Sequence, residues 1–288
     1  QKKTLLWKPF SIQQPNVYKT TRNLYKNTIG NKIVFEEVNH DLELIYRYTW
    51  STSNKYGLVK ESEFINNATD RVSIKVLDGI RNILPYGVDV LGQISRSTLI
   101  DGYKRSELIQ PYGLGIYALS SIISDKAEPS ESLKATVAWS VGIETPVYLL
   151  SEQQTKDFIS HQHLQTELDV KGRRGAYYIV GEFNLASNET REWLIVADLN
   201  QTASKIEVLI DKLNAPSKLL QELKDDIELG CKNLRELVFD ADGFQATANT
   251  KVANRHFSNT LYNIMRGGIY ADDYRITTSD FIEFVSNW

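Results

Sequence analysis

Alternation of apolar and polar residues is the feature that most narrows the fold. In KIVFEEVNHDLELIYRYTWST, Leu42, Leu44, Tyr46, Tyr48 and Trp50 alternate with Asp41, Glu43, Arg47 and Thr49, Ile45 being the exception. A period of two puts one set on each side of an extended chain, so the pattern predicts a strand with one buried face. Similar runs recur up to about residue 200: YGLVKESEFINN, RVSIKVLDGIRNILP, GLGIYALSSIIS, LKATVAWSVGI, VYLLS, GAYYIVGEFNLA and REWLIVADL. Between them stand NNATD, DG, PYG, DKAEPSE, KGRRG and SNET, carrying the residues that turns favour. Hardly any helical pattern separates the runs, and the βαβ alternation of a parallel sheet is missing. A mainly β, antiparallel two-sheet architecture is expected.

Near residue 201 the period changes. SKIEVLIDKLN places Ile206, Leu209, Ile210 and Leu213 at helical spacing, and APSKLLQELKDDIELGCKNLRELVF continues it with Leu219, Leu220, Leu223, Ile227, Leu234, Leu237 and Val238. Pro216 sits at the entry, where its missing N–H costs little. The loop DADGFQATAN, a helix through RHFSNTLYNIMRGG, a short extended piece and a last helix follow. The expected division is a β domain over 1–200 and helices over 201–288. TTSDFIEFVSNW opens with an N-cap at Thr277 or Thr278 and with Asp280 and Glu283, then reaches Trp288 without Gly or Pro. That suggests a chain continuing into something longer; a short terminal helix that docks and frays is the alternative.

With 288 residues, 42% hydrophobic and 24% charged, the chain has an ordinary globular composition. A net charge of −3 argues against a general nucleic-acid or membrane-surface binder. Fifteen Tyr, ten Phe and five Trp suit sugar clefts and half-buried sheets alike. Cys231 is the single cysteine, which excludes an internal disulfide and a multi-cysteine metal site, and IELGCKNLREL places it as a small buried hydrophobe. No apolar run approaches the ~20 residues that span a bilayer. The chain starts QKK without Met, which fits either a removed secretory signal or an arbitrary boundary. The compartment stays unknown, periplasmic or secreted being preferred to cytoplasmic.

Candidate contact residues gather on the helix before Gly267-Gly268. Ala253, Phe257, Leu261, Ile264 and Met265 make one apolar face. Arg255, Asn259, Tyr262 and Arg266 make a second stripe, flanked by His256 and Asn263. Where a solvated face would carry Lys and Glu, this one carries directional donors, which suit sugar hydroxyls, phosphate or another domain. In DGIRNILPYG, Asp78-Gly79 could make a hairpin turn, and Asp78, Arg81 and Asn82 could line a site at a strand end or simply cap the turn. DADG lacks the further acidic ligands of a calcium loop and reads as a helix-ending turn. Asp272 and Asp273 are adjacent on an extended segment and point to opposite sides. His161 and His163 would share a strand face but have no evident third metal ligand. KGRRG reads as a hairpin tip, and Asn67, Asn188 and Asn200 each open an Asn-x-Thr sequon. No catalytic constellation, cofactor motif or metal site is apparent.

Several segments together carry a resemblance: LELIYRYTWSTSNKYGLVKESEFINN, RVSIKVLDGIRNILPYGV, STLIDGYKRSEL, AEPSESLKATVAWSVG, and the pair DADGFQ and RHFSNTLYNIMRGGIYADDY. From about residue 30 to the end, the chain resembles the N-terminal part of glycoside phosphorylases of the cellobiose, chitobiose and β-1,2-oligoglucan group. The resemblance implies a galactose-mutarotase-like β-supersandwich, then linker helices, then an (α/α)6 barrel that carries the general acid and the phosphate-binding residues. None of those positions lies in this chain, so no catalytic residue is carried over. It further implies oligosaccharide and the C-terminal barrel as partners, inorganic phosphate as a co-substrate if the whole is a phosphorylase, no other cofactor, and homodimer contacts as an option. Arg255, His256, Asn259, Tyr262, Arg266, Asp272, Asp78 and Asn82 are then substrate or interdomain contacts.

Two other readings stay open. A self-contained carbohydrate-binding module would use Trp50, Trp139 or Trp193 against sugar rings. A mutarotase-like epimerase would need His161 or His163 with Glu167 or Asp169 in one cleft.

Overall fold

The computed structural model describes residues 4–12, 17–122, 132–267 and 277–287. Among them the chain forms β1 (Thr20–Lys26), β2 (Ile33–Asn39), β3 (Leu44–Ser53), β4 (Gly57–Asn66), β5 (Val72–Ile83), α1 (Val90–Ser95), α2 (Ser97–Tyr103), β6 (Lys104–Ile109), β7 (Leu114–Leu119), β8 (Lys134–Val141), β9 (Val147–Leu149), α3 (Thr155–Ile159), β10 (Asp169–Lys171), β11 (Gly175–Leu185) and β12 (Thr190–Thr202). Helices α4 (Ala203–Leu213), α5 (Pro216–Asp240), α6 (Thr250–Met265) and α7 (Thr278–Ser286) follow. A nine-stranded sheet has the order β1-β2-β3-β4-β12-β8-β7-β6-β10, and a three-stranded sheet the order β5-β11-β9. Every pairing is antiparallel. The fold is the expected mainly β supersandwich followed by helices.

Side-chain alternation makes three layers of this. One face of the large sheet carries Tyr46, Phe64, Trp193, Ile195 and Tyr117, which pack with Tyr177, Ile179 and Leu185 of β11. The opposite face carries Val59, Trp139, Val196 and Leu194, which pack under Leu209 of α4 and Leu219, Leu223 and Ile227 of α5. In β12, the run Trp193-Leu194-Ile195-Val196 is buried throughout because both faces are covered. The outer face of the small sheet is closed by Leu164 and Phe158.

The helical layer is also tied down by polar bonds. Asp226 of α5, although burial alone would raise its carboxyl, is held low by the Ser53 hydroxyl and the Lys55 amide, both of which donate to it. Glu222 accepts from the Tyr56 hydroxyl at 2.8 Å and from Lys212 Nζ of α4 at 2.9 Å. Two carboxylates of one helix thereby grip the turn between β3 and β4.

Several sequence expectations change. Asp78-Gly79 is no hairpin turn: both residues continue β5 opposite Ile179 and Tyr178. KGRRG is no hairpin tip either, since β10 pairs with β6 in one sheet and β11 with β5 and β9 in the other. His161, at φ 57°, lies in the turn after α3 and His163 in the loop beyond it, so the two do not share a strand. Helices α1, α2 and α3 interrupt a stretch expected to be nearly all strand, and β1 was not apparent in the sequence.

Candidate functional site

Asn249 caps α6, its side chain accepting from the amides of Lys251 and Val252. Phe257 and Ile264 bury themselves against Cys231 and Val238 of α5 and against Ile29, with Leu261 alongside. The Phe244 ring meets Phe257 edge-on at 5.4 Å. Met265, expected on this face, is 76% exposed, because the buried stripe ends at Ile264.

On the other side Arg255, Asn259, Tyr262 and Arg266 are all exposed. Among the described residues none of their side chains makes a hydrogen bond or ion pair; the Arg266 guanidinium rests 5.6 Å over the Tyr262 ring. His256 faces inward: its Nε2–H donates to the Asp242 carbonyl at 2.8 Å and ties α6 to the turn that ends α5. Asp272 lies outside the described residues.

Asp78 belongs to a different place. It is buried between the sheets, where Lys60 Nζ and the Tyr46 hydroxyl donate to Oδ1, and Ser62 Oγ and Trp193 Nε1 donate to Oδ2, each at 2.8 Å. Burial alone would raise this carboxyl, but the Lys60 charge and the donated hydrogen bonds outweigh it and hold the pKa below the usual carboxylate value. Burial first, and then the Asp78 charge, push Tyr46 well above the ordinary phenol. Asp78 therefore caps no turn. It and Lys60 form a buried ion pair joining the two sheets. Asn82 is exposed on the same strand at φ 55°, the residue that bulges between Ile83 and Arg81 where they face Gly175 and Ala176. The fold does not bring Asp78 and Asn82 to α6: β5 packs on one face of the large sheet, and α5, which carries α6, on the other.

Trp139 and Trp193 have no exposed surface and cannot stack on a sugar. Trp50 is half-buried, beside Tyr48 at 6.4 Å. Glu167 accepts from the Leu150 amide at 2.7 Å, from Ser151 at 3.1 Å and from Gln154 at 3.0 Å. Asp169 is held low by Arg105, which donates to it. Both carboxylates named for epimerase chemistry are thus engaged in holding strands and turns. Among the described residues no cluster of three His, Cys, Asp or Glu is placed to hold a metal.

No family model matches the chain, and no curated protein does. Among solved structures it is similar to a bacterial glucoamylase complexed with acarbose, at 12% identity and TM-score 0.47 over 84% of this chain and 32% of that one. It is also similar to heparinase III, at 12% identity and TM-score 0.33 over 64% and 22%. A protein from the human microbiome described as a kojibiose phosphorylase gives 9% identity and TM-score 0.39 over 78% and 26%. These are carbohydrate-active enzymes by name, and at such scores none transfers an activity to this chain. The chain spans a third or less of the length of each.

Proposed function

We propose that the chain is the non-catalytic N-terminal β-supersandwich and linker of a larger carbohydrate-active enzyme, a glycoside phosphorylase or hydrolase acting on β-glucan-type oligosaccharides. Its domains are the sandwich over 1–200 and the linker over 201–288. The α6 stripe packs on a C-terminal catalytic barrel, and inorganic phosphate is the co-substrate if the whole is a phosphorylase.

The observation that supports this reading is the contrast between the two faces of α6. Its apolar face is spent on α5, while Arg255, Asn259, Tyr262 and Arg266 keep their donors free among the described residues. Guanidinium and amide groups gain most where a partner meets their fixed geometry, and arginine and tyrosine are enriched in protein interfaces. The resemblance of the quoted segments supplies the nature of the partner.

Arginine-directed labelling read by mass spectrometry tests it. Arg255 and Arg266 should label readily in residues 1–288 alone and be protected in the full-length polypeptide. Equal labelling in both, or consumption of phosphate with an oligosaccharide by residues 1–288 alone, overturns the reading.

A further inference from the structure

A cleft of about 550 Å³ opens on the helical side of the large sheet. One wall is the turn between β3 and β4, with Asn54 and Lys55, the turn that Asp226 and Glu222 grip through Ser53, the Lys55 amide and Tyr56. A second wall is the bulge of β12 between Asp198 and Gln201, where Asn200 adopts φ 58°. The first turns of α4, with Ser204, Lys205 and Val208, make the third. A gripped turn facing a bulge whose Asn200 is held in the left-handed region is a preformed site.

Lys212, Tyr56, Asp198 and Gln201 of the lining are engaged in hydrogen bonds, but four other polar side chains are not. The side chains of Asn54, Asn200, Ser204 and Lys205 line the cleft and make no hydrogen bond or ion pair among the described residues. Lys55 Nζ stands 3.9 Å from Asp226 with its side chain 63% exposed. Asp198 is the one acidic residue of the lining; both its oxygens already accept, from the Leu199 amide and from Gln201, each at 2.7 Å. Burial holds its carboxyl above the usual range, the Leu199 amide and Lys205 opposing. Leu199 and Val208 expose 62% and 56% of their surface at the rim, over Leu209 deeper in the cleft. Amides and a hydroxyl beside apolar surface suit a ring that has both hydroxyls and a C–H face, and an uncommitted lysine adds a preference for negative charge.

We propose that this cleft binds an anionic pyranose, a single sugar ring bearing a carboxylate or a phosphate. Lys205 and Lys55 hold the anionic group, Asn54, Asn200 and Ser204 take the hydroxyls, and Leu199 and Val208 cover the ring. The cleft shares no residue with the α6 stripe, so either assignment can fail without the other.

Amide NMR titrations and calorimetry of residues 1–288 with glucuronate, glucose 6-phosphate, glucose and inorganic phosphate decide it. Shifts at Asn54, Asn200 and Lys205 are expected with at least one of the two anionic sugars, which then names the anionic group. Glucose and inorganic phosphate should bind about tenfold more weakly, since each offers half of the recognition. Lys205→Ala, on an exposed helix position, should weaken the anionic sugar about fivefold and reduce its salt dependence; Asn200→Gly, compatible with the backbone, should also weaken it; Arg255→Ala should change nothing. Absence of binding by both anionic sugars, equal binding of glucose or of phosphate alone, or a folded Lys205→Ala chain with unaltered affinity overturns the assignment.

Discussion

Two polar constellations in this molecule could hardly differ more. Around Asp78 every group answers another: lysine, phenol, hydroxyl and indole converge on one buried carboxylate between two sheets. Along α6, four polar side chains point outward and make no hydrogen bond within the described chain. The first arrangement has no capacity left for a ligand, whereas the second has all of it. Completed hydrogen bonding in a buried site marks a structural device, whereas the exposed donors of α6 are open to solvent or to the partner proposed above.

The contrast breaks most visibly if Asp78 is removed. Asp78→Ala leaves Lys60 buried without its counter-charge and should cost about 3–5 kcal/mol, read as a lower midpoint in urea unfolding. A loss below about 1 kcal/mol would mean that water reaches the cluster. Phe257→Ala should be comparable, about 3–5 kcal/mol locally, and should be seen as accelerated hydrogen exchange confined to α6. Gly79→Ala follows at about 1–3 kcal/mol, because a Cβ there runs into the Tyr177 carbonyl oxygen and the Tyr178 ring.

Acid sharpens the same contrast. The folded pKa of Asp78 lies below its unfolded value near 3.9, so its charge stabilises the fold above that value. The contribution is lost as pH falls through the folded pKa. Asp78→Asn should flatten the acid limb of the stability profile, while Arg255→Ala should leave it unchanged. Smallest of all, Arg255→Ala, Asn259→Ala and Arg266→Ala should each shift the stability of residues 1–288 by no more than about 0.5 kcal/mol, measured by thermal melting.

Much of the sandwich was legible in the sequence because a period of two is a local signal. Tyr46, Tyr48 and Trp50 do lie on one face of β3. The α6 face was legible for the same reason, at a period of 3.6. Asp78-Gly79 misled because its meaning is not local: the Asp78 partners come from residues 46, 60, 62 and 193, and Gly79 is small for the sake of Tyr177 and Tyr178 on another strand. His256 misled similarly, its ring being taken by a carbonyl fourteen residues earlier. Helices α1 and α2 hid behind Gly92 and Gly102, which weaken a helical pattern. The cleft by α4 was invisible in the sequence, since three walls contributed by distant segments leave no common spacing.

The order of strands in the large sheet sets a schedule for synthesis. β12 lies between β4 and β8, yet it is the last strand of the sandwich in the chain. Until it leaves the ribosome, β1 to β4 and β6 to β8 can form only as two separate sheets, each with a bare edge open to wrong pairing. The nascent polypeptide therefore carries the bare β4 edge through most of the translation of the sandwich, and the bare β8 edge as well from residue 141 until β12. Arrival of Trp193, Ile195 and their neighbours closes both at once.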